Sequence, residues 1–202
     1  MSLASELKGS RAAAELTYTL VFPPGWAEYG IDREAEAQLV QNARDLYRDG
    51  GRPDIALDVR TRIHVYFARV RKIGATAMYL PIKRVDDIVL PVSIVAVPFR
   101  AAPGTTLVSA VDRLAGGRAE AVQLPQGPAW RWQEERNRVD GEEGLSSLLI
   151  HYLVPAPGER PGTGLVLSYA ILHLTGDEGD EFVTVLAGLF EPIAGTFRWK
   201  QN

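Results

Sequence analysis

The sequence predicts an α+β fold, in which a mostly antiparallel sheet of about six or seven strands is covered by helices. Two observations predict it. Short runs rich in β-branched and aromatic residues follow one another with tight turns between them, which is typical of antiparallel strands. Other segments repeat apolar residues at helical spacing. The order is strand, two helices, two strands, helix, four strands, helix. Because the helices come in groups, they can cover both faces of the sheet as an α/β/α sandwich.

The composition is that of an ordinary globular domain. The chain has 202 residues, of which 46% are hydrophobic and 23% charged. This length favours one domain, which we expect over residues 15–200 after a mobile lead-in at 1–14. The formal net charge of -3 gives no electrostatic case for binding nucleic acid. The absence of cysteine excludes disulfides, thiolate catalysis and thiolate metal sites.

The sequence also bears on location. Charged residues interrupt the first sixteen positions, so no signal peptide is predicted there. No apolar run reaches the roughly 18 residues that a membrane-spanning helix needs. We therefore expect no membrane span and a cytoplasmic protein. This expectation is provisional, because a precursor whose leader had been removed would leave the same sequence.

The first strand and first helix are predicted from residues 16–50. The run at 16–22 is β-branched and aromatic, and Pro23-Pro24-Gly25 ends it in a turn. Asp32 is placed to cap a helix, which Gly50-Gly51 ends. The apolar face of that helix comprises Leu39, Val40, Ala43, Leu46 and Tyr47.

Residues 53–73 fit two patterns. Val59, Ile63 and Phe67 belong both to a strand-like alternation and to a helical stripe. Length favours the helix, because about 20 residues without a turn signal is too long for a typical strand. Pro53 before an acidic residue also suits a helix start. We therefore predict a helix here, which carries the basic residues Arg60, Arg62, Arg69, Arg71 and Lys72.

The rest of the chain is predicted as strands with two further helices. The predicted strands are 76–82, 91–99, 119–124, 129–136, 145–154 and 164–174, and the predicted helices are 105–117 and 176–190. Pro192 removes a helical hydrogen bond and clashes with the preceding turn, so we expect the last helix to kink or stop near Phe190.

The final residues are unusually apolar. Phe197 and Trp199 are two positions apart, so an extended tail places both rings on one side. Burying a ring of this size contributes roughly 1.5–3 kcal/mol. We therefore predict that both rings are mostly buried and close the core.

Three stretches carry a resemblance to a known family: Phe22-Pro23-Pro24-Gly25-Trp26, Tyr79-Leu80-Pro81, and the closing segment from Leu189 to Trp199. Together they resemble uncharacterised actinobacterial proteins related to the PsbP-like (LpqN-type) α/β/α sandwich. The resemblance implies a curved antiparallel sheet between helices. It implies no chemistry, because members of that fold group are mostly binding or assembly factors. The chain lacks a lipobox cysteine, so no lipid anchor is expected.

Catalytic and metal-binding patterns are absent from the sequence. Its histidines are His64, His151 and His173, and none lies in an HxH or HExxH motif. Ser146 or Ser168 could be combined with His151, but neither serine lies in a G-x-S-x-G elbow. We therefore predict no catalytic, cofactor or metal site, and a protein that folds without metal.

Four residues are candidates for contact with a partner. Arg62 and Arg69 are expected to point outward from the second helix. Trp130 and Trp132 lie on the same side of one predicted strand. If that side is the core, the tryptophans are packing residues. If it is open, they mark an exposed patch that a partner covers.

These observations leave three functions open. The first is a non-enzymatic interaction or assembly protein of unknown pathway with a protein partner. The second is a carrier or sensor of a small apolar ligand bound between sheet and helices. The third is an enzyme that uses His151 and His173, which a cleft joining both to a carboxylate would favour. The oligomeric state, including a homodimer, is not determined by the sequence.

Overall fold

The computed structural model describes residues 17–49, 56–84, 88–137, 144–158, 162–177 and 180–200. The helices are α1 (Arg33–Asp49), α2 (Ala56–Lys72), α3 (Leu107–Ala115) and α4 (Glu181–Gly195). The strands are β1 (Tyr18–Thr19), β2 (Trp26–Tyr29), β3 (Ala77–Pro81), β4 (Val92–Arg100), β5 (Glu120–Leu124), β6 (Gly127–Arg136), β7 (Leu145–Pro155), β8 (Thr163–Leu174) and β9 (Arg198–Trp199). The expected lead-in at 1–14 lies outside the described residues.

The fold is an α+β sandwich around a seven-stranded sheet, as predicted. Its strand order is β2-β3-β4-β8-β7-β6-β5, and every neighbouring pair is antiparallel. Strands β1 and β9 form a separate two-stranded sheet. The hairpin of β7 and β8 is the longest pairing, and it runs in register from Leu145 opposite Leu174 to Pro155 opposite Gly164. A Cβ on Gly164 would lie 2.6 Å from the Val154 carbonyl oxygen, so only glycine fits there.

The two faces of the sheet are covered by different parts of the chain. We call the face that carries Ile94, Ile150 and Leu167 the tail face, because α4 and the β1–β9 pair pack against it. We call the face that carries Met78 and Val95 the helix-pair face, because α1 and α2 pack against it. Helix α3 covers the same face further along, over β6, β7 and β8.

The last residues close the tail face. Phe197 is fully buried and stacks on Tyr18 with ring centroids 5.4 Å apart. Trp199 is half-buried, packs edge-on against Phe197, and donates from its indole nitrogen to the Pro155 carbonyl at 2.8 Å. Both rings therefore pack against the core, and Phe197 is the more deeply buried of the two.

The first predicted strand is wrong in extent. Among the described residues 17–22, only Tyr18–Thr19 pairs with another strand, and its partner is β9 rather than the large sheet. Beyond Thr19 the chain is tied to the tail by a side chain, because the Val21 backbone N–H donates to Thr196 Oγ1 at 2.9 Å. Strand β2, which follows the Pro-Pro-Gly turn and pairs with β3, was not predicted.

The predicted stop of the last helix near Phe190 is also wrong, whereas the alternative, a kink there, stays a prediction. Helix α4 continues through Pro192 to Gly195. The carbonyl that loses its partner belongs to Gly188, and both residues are exposed, so water can satisfy that carbonyl. Beyond the proline, Ile193 is buried, and its carbonyl accepts from Thr196 Oγ1 at 2.7 Å. Packing of this last turn outweighs the local cost of proline.

The predicted helix at 53–73 is confirmed over Ala56–Lys72, and its first residues lie outside the description. Phe67 is fully buried and Val70 is 4% exposed, so the helical stripe faces the sheet. At the start of α1, Asp32 caps the helix by accepting from the Ala35 N–H at 2.8 Å.

Candidate functional site

Helices α1 and α2 form an antiparallel pair that is fixed at one end by Arg71. This side chain, near the end of α2, donates to the carbonyl oxygens of Ile31 at 2.7 Å and Asp32 at 2.8 Å, just before α1 begins. Its guanidinium also lies 5.1 Å from the centre of the Phe67 ring. The end of α2 is therefore held against the start of α1.

A groove of about 890 Å³ runs along this helix pair. We call it the arginine groove, and it is lined by Arg33, Glu36, Ala37, Val40, Gln41, Arg44, Arg60, Thr61, His64 and Arg71. The α1 residues recur at three- and four-residue intervals, so they form one face of that helix. Ala37 and Val40 give the groove an apolar floor, and arginines lie at both of its ends.

Glu36 is the acidic residue in the groove lining. Its carboxylate lies 2.6 Å from the Arg71 guanidinium and 2.8 Å from His64 Nδ1, and its side chain is 15% exposed. Desolvation alone would raise the pKa of Glu36. Hydrogen bonds and charges from His64 and Arg71 outweigh that effect and hold the pKa below its ordinary value. Glu36 is therefore ionised at neutral pH and already has its partners.

The other arginines of the groove differ from Arg71. Within the described residues, Arg33, Arg44 and Arg60 are exposed and form no ion pair. Four arginines face a single glutamate here, in a protein whose overall formal charge is negative. The groove is therefore a local concentration of positive charge that the described protein does not neutralise.

The arginines divide into two groups along the groove. Arg33 lies in the first turn of α1, at the end where Arg71 is anchored. Arg44 lies eleven residues further along α1, which corresponds to about 16 Å of helix. Arg60 lies near the start of α2, which the antiparallel arrangement brings beside the later part of α1. The groove thus has arginines at each end, and Glu36, one turn after Arg33 and 2.6 Å from Arg71, belongs to the first of these ends.

A second, smaller groove lies between the helix pair and the sheet. It has a volume of about 300 Å³ and opens beside β4 and β8. We call it the apolar groove, and its lining is Leu39, Arg62, Ile63, Tyr66, Leu80, Leu90, Pro91, Val92, Ser93, Ala170 and Leu172. Tyr66 and Ser93 hydrogen-bond to each other at 3.2 Å, so their hydroxyl groups are partnered. Leu172 is 41% exposed at the groove's edge.

The predicted interaction residues do not gather at one place. Arg62 is exposed, lines the apolar groove and pairs with Asp58 at 2.8 Å on its own helix. Arg69 is also exposed on α2. Trp132 is 3% exposed beneath α3, where Trp130 is half-buried. Whether these four residues contact a partner stays a prediction.

Sequence reasoning missed the arginines of α1. Arg33, Ala37, Val40 and Arg44 follow one another at intervals of four, three and four residues, which places them on one helical face. This signal was available, but it was masked by counting Val40 as part of the core-facing stripe. In the structure, Leu39 packs against the sheet side and Val40 lies on the groove.

The structure separates His151 from His173. Both lie on the central hairpin, but the strand register places them opposite different residues, Ser168 and Ser146. Their side chains alternate onto opposite faces of the sheet. His173 bonds to Glu135 Oε1 at 2.9 Å. The enzyme hypothesis required the two histidines in one cleft, so the geometry removes its basis.

His151 forms a serine–histidine pair that lacks the features of a catalytic triad. Its Nδ1 lies 2.8 Å from Ser168 Oγ, and its ring stacks on Trp132 with centroids 4.8 Å apart. His151 Nε2 and Trp132 Nε1 are buried without partners among the described residues. Burial, modified by the charges of Glu134, Arg136 and Arg118, lowers the pKa of His151 to about 4. The imidazole is therefore a weak base, and no carboxylate hydrogen-bonds to it.

The described residues lack two further kinds of feature. They contain no group of three or more His, Cys, Asp or Glu side chains arranged to hold a metal ion. Among them, no helix is long and apolar enough to cross a membrane.

Comparisons with known proteins identify similar folds. No family model matches the chain, and no curated protein matches it by sequence. Among solved structures it is similar to LpqN, involved in cell envelope biogenesis of Mycobacterium tuberculosis, with 12% identity and a TM-score of 0.44 over 100% of this chain and 98% of that one. It is also similar to the Ran-binding protein Mog1p of Saccharomyces cerevisiae, with 15% identity and a TM-score of 0.40 over 60% of this chain and 77% of that one. Likenesses of this degree carry no argument about function.

Proposed function

We propose that the protein is a non-enzymatic interaction protein whose partner binds the arginine groove between α1 and α2. The observation that carries this proposal is the set of exposed arginines at the two ends of one groove, which form no ion pair within the described residues. Exposed arginines without an ion-pair partner add little to the stability of the fold. They leave a positive potential that a partner of opposite charge can use.

The non-enzymatic part of the proposal is supported by the histidines. His151 and His173 lie on opposite sheet faces, and His151 is buried with a low pKa. A general base works best with a pKa near the operating pH. The described site residues therefore favour binding over chemistry.

A photo-crosslinking experiment tests the proposal. Benzoylphenylalanine is placed at Ala37, on the exposed floor of the arginine groove, or at Val185, which is 63% exposed on α4. Each protein is irradiated in a lysate of the source organism, and the adducts are identified by mass spectrometry. We expect a discrete protein adduct from position 37. Apart from the crosslink, the captured partner should carry no chemical modification. No adduct at position 37, or the same adducts from both positions, would contradict the proposal.

A second candidate function, carriage of a small apolar ligand, is favoured by the apolar groove. Its volume of about 300 Å³ is at the lower end of ligand pockets. A fluorescent fatty acid titrated into the protein tests this function. Saturable binding that Ala170→Phe abolishes, by filling the groove, would support a carrier. Equal binding to both proteins would exclude the apolar groove as its site.

A further inference from the structure

The arrangement of charge in the arginine groove restricts the chemistry of its occupant. This inference rests on the proposed function and specifies the partner. The two arginine ends, or poles, lie about 16 Å apart, as the rise of an α-helix over eleven residues requires. A single phosphate or carboxylate spans only a few ångströms and cannot contact both poles. An occupant that uses the whole groove must therefore be extended and carry negative charge near both ends.

The centre of the groove restricts the occupant further. Between the poles the floor is Ala37 and Val40, and Glu36 contributes a negative charge beside Arg71 at one pole. A continuous polyanion such as nucleic acid would place phosphates against this carboxylate and the apolar floor. The formal charge of -3 on the whole protein adds a long-range repulsion for nucleic acid. A peptide can instead place apolar side chains at the centre and acidic side chains at the ends.

We infer that the arginine groove binds an acidic segment of a partner protein, whose carboxylates pair with the arginines of the two poles while apolar side chains cover Ala37 and Val40. Arginine suits this role, because its planar guanidinium pairs with carboxylates through two parallel hydrogen bonds. The cleft between two helices also offers the groove in which a third helix or an extended segment can lie. At one pole, the contacts of Arg71 with Ile31, Asp32 and Glu36 hold the cleft in place before any partner arrives.

Designed peptides test this spacing directly. The probe is a fluorescein-labelled synthetic helix of about 18 residues, roughly 27 Å long, with a pair of glutamates near each end and leucines between them on one face. A matched peptide of identical composition carries all four glutamates at one end. Fluorescence anisotropy measures both affinities for the full chain. We expect the spaced peptide to bind about tenfold more tightly, which corresponds to about 1.4 kcal/mol. Equal affinity would overturn the two-pole arrangement.

Charge reversal locates the site. We expect the double variant Arg33→Glu/Arg44→Glu to weaken binding of the spaced peptide by about tenfold or more, and Arg33→Lys/Arg44→Lys to retain most of it. The matched control is the double variant Arg100→Glu/Arg113→Glu, which makes the same charge change of four units at exposed positions on β4 and α3. We expect less than a twofold effect from the control. Equal losses in both proteins would mean that the peptide responds only to net charge.

Other ligands give outcomes that would overturn the inference. The first is that inorganic phosphate shifts the NMR amide signals of both poles at a lower concentration than the peptide does. The second is that duplex DNA binds more tightly than the peptide. The third is that light scattering shows a homodimer that Arg33→Glu/Arg44→Glu dissociates. The crosslink at position 37 separates this inference from the proposed function. If a partner is captured there but neither peptide binds, the interaction role stands and the acidic segment is wrong. If no partner is captured, the proposed function fails whether or not a peptide binds.

Discussion

The two faces of the sheet are closed in different ways. The tail face is covered by α4 and by β1 and β9, which come from distant parts of the chain, and its cover includes the fully buried Phe190 and Phe197. The helix-pair face is covered by α1 and α2, which are neighbours in sequence, and by the separate helix α3. Both described grooves that involve α1 and α2 lie on this side. One face is thus closed by apolar segments from distant parts of the chain, whereas the helix pair on the other face leaves two grooves at the surface.

The largest expected effect comes from opening the tail face. Phe197→Ala removes a fully buried ring and should lower the free energy of unfolding by about 3–5 kcal/mol. Urea denaturation measures the change. The matched control is Val185→Ala on the exposed side of α4, where the effect should stay within about 0.5 kcal/mol. A Phe197→Ala midpoint close to that of wild type would mean that the tail does not complete the core.

The next effect concerns the buried histidine of the helix-pair face. The folded pKa of His151 is lowered to about 4, below the ordinary value of about 6.5 in an unfolded chain. The unfolded state therefore binds the proton more readily, and stability is lost as pH falls from about 6.5 towards 4. The shift corresponds to about 3 kcal/mol at the end of that window.

Comparison of wild type with His151→Phe isolates this contribution from that of the carboxylates. Urea midpoints are measured at several pH values for both proteins and for His64→Gln, whose side chain is 70% exposed in the parent. The stability of His151→Phe should fall less steeply with acid than that of wild type. Parallel pH curves for wild type and His151→Phe would show that this histidine titrates normally.

A smaller effect is expected at the contact between the tail-face helix and the sheet. The Tyr169 hydroxyl donates to the Leu186 carbonyl of α4 at 3.0 Å, and burial raises the pKa of this tyrosine. Tyr169→Phe removes that bond and keeps the ring, and it should cost about 0.5–1.5 kcal/mol, the net contribution of one hydrogen bond, because the Leu186 carbonyl keeps its partner within α4. Thermal unfolding measures the change. An unchanged midpoint would indicate that the ring alone holds α4.

The smallest effect should come from the surface of the helix pair. Arg62 and Asp58 form an exposed pair one turn apart, with side chains 51% and 59% exposed. Arg62→Ala should change the free energy of unfolding by no more than about 0.5 kcal/mol. A loss of several times that size in chemical denaturation would contradict this view of α2, because it would make the outer surface part of the stabilising cover.

Local patterns were enough to predict most elements of the fold. Strands β4, β7 and β8 are runs of apolar and β-branched residues, and the structure gives them nearly the predicted bounds. The errors arose where distant contacts decide. Residues 16–22 have strand-forming composition, yet their pairing is limited by the two residues of β9. Pro192 is a local helix breaker, and the buried Ile193 beyond it keeps the helix intact.

The candidate site was less predictable, because a groove depends on which faces of two helices remain uncovered. The basic character of α2 is visible in sequence, but the outward direction of Arg33 and Arg44 depends on how α1 packs on the sheet. The placement of His151 and His173 on the sheet also depends on the structure. They are 22 positions apart on the two strands of one hairpin, and only the register places them on opposite faces.

The pairing of β1 with β9 has a mechanical consequence. The Lys200 backbone N–H donates to the Thr17 carbonyl at 2.8 Å, beside the pairs Tyr18–Trp199 and Thr19–Arg198. Residues 17 and 200 lie at the same end of this antiparallel pair. Tension applied between them would therefore act perpendicular to the strands and break their hydrogen bonds one after another. The long β7–β8 hairpin would carry little load until the β1–β9 pair and the Phe197 contacts had broken. Stretching by these two points should thus uncover the tail face at low force, before the seven-stranded sheet ruptures.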